Sequence, residues 1–375
     1  MTEATVVNSF LIFRVILVGG FLLILPHVTR KGLFFGVYVG EGFSDSDEGR
    51  RLLHTWRLGC LAVMATALLV GLSISAAGWP VPGNLTGTAV LLSVAAMLYL
   101  RLYGKTLALA PPAAARQAER AVAPLQGGRP KGALFARIAL GICLLACFAT
   151  FVYAIVGYAA MPGRVPVLSG GMGAAAGLSD KSFAAVIFVP TMSLMLSLVF
   201  GVSAVLNSNA KLSIRGGSGA RSAEGQAAFR AAMTRLSGVV ALLMCGLLTL
   251  LSVQLVRFQL SEIRSLGLSI PWGAGILILS MLGSQIWILK RYGQGGALIE
   301  DGSADTPLAG GIADNAHWVW GLFYVDRHDP SIAVESRFGF GYTLNYGNRN
   351  AVLILVTFLA LALSVTALGL IAFAF

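Results

Sequence analysis

The sequence predicts an all-α fold: an integral membrane bundle of about eight transmembrane helices with a small cytoplasmic, strand-containing subdomain. Three observations carry this expectation. Of 375 residues, 57% are hydrophobic and only 11% charged, against roughly 25% charged in soluble domains. Eight apolar runs approach the ~20 residues a helix needs to cross the hydrocarbon core, and none of the 16 Asp and Glu residues lies inside one. The Lys and Arg residues between the runs alternate between dense and sparse along the chain, as topology demands of a polytopic protein.

The runs cover residues 6–26, 58–77, 87–103, 138–158, 184–206, 236–256, 271–289 and 351–372, the third being the shortest. The intervals after runs one, three, five and seven hold five, six, five and five of the 27 Lys and Arg residues. The opposite side has only Arg164, Lys181, Arg257 and Arg264. Cytoplasmic loops carry the basic excess, so both termini are expected outside the cytoplasm of a bacterial inner membrane. The formal charge of +11 is therefore a topology signal, which argues against nucleic acid as a partner. The N-terminus, MTEATVVNSF, lacks a basic leader region, and the first run reads as a retained signal anchor. Boundaries drawn on the intervals give 1–57 (first span and aromatic loop), 58–158 (helices two to four with a basic linker), 159–289 (a loop and helices five to seven) and 290–375 (a polar module and the last helix).

In the first interval, GLFFGVYV at 32–39 is strand-like, followed by an acidic turn in which Ser44 or Asp45 is expected to cap the next helix. The last interval contains a similar GLFYV at 321–325. Two readings are open: the segments pair into one small sheet, or they are independent interfacial loops. The 317–350 interval is rich in Trp, Tyr, Phe and Gly. Amphipathic aromatics of this kind anchor helices at the membrane interface, and a docking site for a peptide or protein partner is the alternative. Asn345 or Asn348 is expected to cap the last helix.

Arg14 is the one charge near mid-depth of a span, where a cation is costly and marks a functional candidate; it reads as structural or snorkelling, with a ligand-facing role as the alternative, and Gln254, Gln285 and helix-end carbonyls are its candidate partners. His27, His54, His317 and His328 lack the spacing of a helix-borne ligand pair, so no metal and no cofactor is expected. The four cysteines fall in apolar runs. Cys143 and Cys147, four apart on one helix face, read as buried thiols. With no intramembrane carboxylate a proton-coupled transporter is disfavoured, and no nucleotide-binding, nucleophile-elbow or zinc-protease motif is present. The chain is expected to have no enzymatic activity.

Two resemblances add to this reading. The residues Trp320, Gly321, Phe323, Tyr324, Asp329, Pro330, Val334, Arg337, Gly339, Gly341, Thr343 and Asn345 resemble the signature of an uncharacterised bacterial domain that precedes a transmembrane helix, with Asp326 where Asn is usual. In the interval between the fourth and fifth runs, Pro162, Pro166, Gly177, Lys181 and Pro190 are similar to the pattern of the SdpI immunity and signal-transduction family. Leu168 stands there in place of a histidine. The resemblance implies signalling or immunity through a bound peptide or protein, with the bilayer as surroundings and the oligomeric state open. The alternative is a transporter or permease component for a small or lipophilic solute, using Arg14.

Overall fold

The computed structural model describes residues 3–29, 32–40, 42–111, 132–169, 174–211, 219–266, 269–300, 315–338 and 341–373. Eight helices are long and apolar enough to cross a membrane: α1 (Glu3–Val28), α2 (Asp47–Ala76), α3 (Pro80–Ala108), α4 (Ala133–Ala160), α5 (Phe183–Ser208), α6 (Gly219–Gln259), α7 (Ser269–Tyr292) and α9 (Arg349–Phe373), with a single turn, α8 (Ala297–Glu300), between the last two. The chain is thus a multi-pass membrane protein. Each helix exceeds the apolar run that predicted it, because capping residues and basic or small residues continue the helix beyond the hydrocarbon. The sixth run gains most, α6 having 41 residues; the third, the shortest, becomes the 29-residue α3, which starts at Pro80, a residue pre-set for the first helical turn.

The helix ends follow local chemistry. The cap of α2 is Ser46, not Ser44 or Asp45: its Oγ accepts the Gly49 N–H at 3.1 Å, and Asp47 and Glu48 in the first turn complement the helix dipole. The expectation missed because Phe43–Asp45 already form a 3-10 turn, leaving Ser46 as the first extended residue. The last helix is capped by Asn348, whose Oδ1 accepts the Asn350 N–H at 2.9 Å.

Packing sorts the helices into two groups. In the first, Leu11 and Val15 of α1 meet Val63 and Ala67 of α2 and Leu91 and Ala95 of α3. Small residues let α2 and α3 approach closely: a Cβ on Gly83 would sit 2.4 Å from the Gly71 carbonyl oxygen, the close approach typical of membrane helices. In the second, Cys143 and Cys147 of α4 pack on Ala241 and Cys245 of α6, beside Leu194 and Phe200 of α5. There α7 lies on α6, with Leu247 against Gly273, and α9 on α5, with Phe188 against Gly369. Among the described residues no buried hydrophobic cluster joins the membrane-spanning cores of the two groups.

Four two-stranded antiparallel ribbons complete the fold. Three lie at the end of the bundle that carries the Lys- and Arg-rich connections, called here the basic end: β1 (Leu33–Phe34) with β2 (Val37–Tyr38), β5 (Trp318–Val319) with β6 (Phe323–Tyr324), and β7 (Ala333–Glu335) with β8 (Tyr342–Leu344). The fourth, β3 (Arg164–Ser169) with β4 (Ala174–Asp180), connects α4 to α5 at the opposite end. The segments 32–39 and 321–325 therefore do not form one shared sheet. Each closes its own hairpin, because each has a glycine turn that reverses the chain before a second partner is needed.

Candidate functional site

The residues from Asn315 to Asn348, with the β1–β2 hairpin, form a polar and aromatic module at the basic end. Its centre is a pair of turns. Phe35 and Gly36 have φ of +43° and +75°, the doubly left-handed geometry of a two-residue hairpin loop. Trp320 and Gly321 are left-handed too, at +54° and +68°, within a three-residue loop between the paired Val319 and Phe323, closed by the Leu322 N–H on the Val319 carbonyl at 3.2 Å. Left-handed φ is uncommon for an aromatic residue. At Phe35 burial offsets the cost: the side chain is enclosed, with ring centroids of Trp56, Phe338 and Tyr99 at 5.4, 6.1 and 6.3 Å. The turns lie back to back, so that a Cβ on Gly321 would be 2.8 Å from Gly36 Cα. The Tyr99 hydroxyl of α3 sits 2.9 Å from the Trp320 carbonyl oxygen and 3.2 Å from that of Phe35, bridging both turns.

Around this joint the family-like residues serve one another. Asn345 is fully buried and all four directions of its amide are used: Nδ2 donates to the carbonyls of Asp326 (2.9 Å) and Asp329 (3.0 Å), and Oδ1 accepts from the N–H groups of Asp326 (3.1 Å) and Gly347 (3.0 Å). Asp329 accepts from Lys211 Nζ at 2.7 Å, the Tyr324 hydroxyl at 3.0 Å and the Ser331 N–H at 2.9 Å. Arg337, also buried, donates to Asn315 Oδ1 at 2.7 Å and stacks its guanidinium 4.8 Å from the Trp318 ring centroid. Asn315 Oδ1 also accepts the Tyr38 N–H at 3.1 Å, which ties the module to β2.

The module grips both helix groups. Toward α1–α3 it offers Phe338, 4.6 Å from Tyr99 and 6.4 Å from Trp56. Toward α4–α9 it offers Asp329 to Lys211, while the Lys211 N–H donates to the Ala333 carbonyl at 3.0 Å. Gln294, after α7, pairs with Gly341 in both directions at 3.3 Å. Tyr342 packs on the buried group of Phe229, Met233 and Ile288.

Electrostatics at Asp329 oppose one another. Burial would raise its carboxyl, but the Lys211 ammonium and the Ser331 N–H override it and hold the group at about 2. The Tyr324 hydroxyl is pushed up by burial and by Asp329 beside it. An unfolded Asp titrates near 3.9, so the Asp329 contribution is complete above about pH 4 and is lost as pH falls through about 2. Melting temperature measured from pH 6 to pH 2 should fall less steeply in Asp329→Asn than in the wild type; parallel curves would contradict the assignment.

Other sequence candidates lie elsewhere. Pro330 is exposed at the module surface, and Gly339 is outside the described residues. Pro166 pairs with Leu178, and Gly177 with Val167, in the β3–β4 hairpin. Exposed Pro162 leads into that hairpin, and Lys181 donates to the Met161 carbonyl at 3.2 Å over the Tyr158 ring. Arg14 is half-buried and donates to Asn84 Oδ1 on α3, whose Nδ2 donates to the Val7 carbonyl at 2.9 Å. Its partner is therefore neither glutamine; Asn84 went unseen because the apolar run begins only at residue 87. A third thiol, Cys245, joins Cys143 and Cys147, with its Sγ 4.0 Å from that of Cys147. Among the described residues no group of three or more His, Cys, Asp or Glu is arranged to hold a metal.

Lys211, Gln294, Asn315 and Tyr99 complete the module and were not sequence candidates. Each is an ordinary polar residue far along the chain from its partners, and no local pattern marks it. On the outside, Trp320 (52% exposed), Phe323 and Tyr346 form an edge-to-face row, with centroids 6.0 and 5.2 Å apart. Exposed Arg327 and His328 belong to the same module, and exposed Arg349 follows it as the first residue of α9.

Comparison with known proteins bears on this module alone. A family of unknown function (DUF5808) matches residues 327–349, the stretch that contains Asp329, Pro330, Arg337, Gly339, Gly341 and Asn345. No curated protein and no solved structure matches the chain.

Proposed function

We propose that this chain is a non-enzymatic protein of the bacterial cytoplasmic membrane, in which the module receives a peptide or protein partner and couples that event to the relative position of the two helix groups. The observation that carries the reading is that one module holds both groups, through Phe338, Arg337 and the paired turns on one side and Lys211, Gln294 and Tyr342 on the other. The buried side chains of Asn345 and Asp329 are committed to internal hydrogen bonds, as suits a rigid joint. Interfaces concentrate their binding energy in aromatics and arginines, and exposed Trp320 and Arg327 with partly buried Phe323 and Tyr346 supply that combination. The basic excess favours the cytoplasm for this end, with both termini outside. The resemblance of the Pro162–Lys181 interval to the SdpI group favours signalling or immunity as the setting.

The same aromatic row could rest in lipid headgroups instead, and one experiment separates the two. A photo-crosslinking residue at exposed Val319, activated in living cells, should give a discrete protein or peptide adduct that Trp320→Ser abolishes. Adducts to lipid alone would overturn partner docking and leave the row as a membrane anchor.

A further inference from the structure

A second site lies at the basic end of α1 and α2. Helix α2 has 30 residues, about 45 Å at 1.5 Å per residue and so roughly 15 Å longer than the hydrocarbon core. Arg57 is ten residues inside it, about 15 Å from Asp47, on an exposed face. A guanidinium at that depth reaches toward the nearer headgroups. It does so against His27, whose Nε2 lies 2.8 Å from Arg57 Nη2. Arginine remains protonated and only donates, so the imidazole nitrogen is the acceptor and brings no negative charge. Among the described residues no carboxylate answers this cation.

Beside the pair is a cavity of about 220 Å³ between the end of α1, the β1–β2 hairpin and the first turns of α2. Its wall includes Phe34, Phe43 and Leu53, with His27, Thr29 and Ser44 as its polar members. The volume suits a small polar group joined to something apolar. His27 is a wall residue of the cavity, and Arg57, which does not line it, is held beside it through His27; basic side chains at headgroup depth attract anionic headgroups, and arginine matches phosphate geometry with two parallel N–H donors.

We propose that His27, Arg57 and this cavity bind a phosphate ester. Its two sources are the headgroup of an anionic phospholipid in the adjoining leaflet and a soluble phosphate ester. The site shares the β1–β2 hairpin with the aromatic module but does not depend on how that module functions.

The full-length protein in neutral detergent, where no membrane surface potential operates, would be titrated with phosphatidylglycerol, phosphatidylcholine and glycerol phosphate, with binding read by native mass spectrometry. The expected result is binding of phosphatidylglycerol in preference to phosphatidylcholine, weakened about tenfold or more by Arg57→Gln, the loss of one hydrogen bond to a charged group. Arg51→Gln, which removes an exposed cation already paired with Glu48, should change it less than about threefold on the scale of a surface charge. Competition by glycerol phosphate at equal affinity supports the site and makes the soluble ester its ligand; absence of competition supports the lipid. Equal binding by wild type and Arg57→Gln, or no binding of either compound, overturns the proposal. If Arg57→Gln is not monodisperse, His27→Gln, which removes only the acceptor, should still shift the affinity, and no shift would overturn it.

Discussion

Replacing Asn345 with alanine should unfold the module while leaving the membrane helices in place. The substitution strands two backbone carbonyls and two N–H groups that the Asn345 amide now satisfies, in a position with no access to water. Each lost bond costs about 1 kcal/mol, and each group left unpaired adds to that, so a loss of about 3 kcal/mol or more is expected. Hydrogen exchange across residues 318–348 should rise to the rate of an open loop with helical circular dichroism nearly unchanged. Retained protection of that segment would mean that the amide is dispensable and that the surrounding packing holds the turn.

Gly321 is the second position of large effect, and a comparison with Gly40 isolates its cause. Both have left-handed φ, +68° and +101°, where a side chain costs about 1 kcal/mol or slightly more. A Cβ at Gly40 meets nothing within 4 Å, whereas one at Gly321 meets the Gly36 backbone at 2.8–2.9 Å. Backbone cannot yield as a flexible side chain can, so Gly321→Ala must part the two turns and withdraw the Trp320 carbonyl from Tyr99. It should lose at least twice the stability lost by Gly40→Ala in thermal unfolding. Equal losses would show that conformation alone, and not the contact between hairpins, is at stake.

These effects explain how far the sequence could be read. The helices were legible because about twenty apolar residues in a row have one stable form in lipid, and Asn348 was legible as a cap because its partners are two and three residues away. The hairpins were only half legible. Aligning GLFYV with GLFFGVYV sets Gly32 against Gly321, but the structural equivalence is Phe35-Gly36 with Trp320-Gly321, visible only through φ. Strands of two residues have too little alternation to fix a partner. The Lys211–Asp329 bond spans 118 positions, and the convergence of Cys245 on Cys143 and Cys147 depends on how α6 packs against α4. Hydropathy finds helices but carries no information on which of them touch.

The central claim is that the module is the joint between α1–α3 and α4–α9. Its most direct test is a distance between the groups. The native cysteines are all buried, so spin labels can be directed to Leu58→Cys on α2 and Ile286→Cys on α7, both exposed positions. Pulsed electron resonance should give one narrow distribution in the otherwise unmodified protein and a broad one after Asn345→Ala. An unchanged narrow distribution, in a variant whose module exchanges freely, would contradict the claim and show that the helix groups hold each other without it.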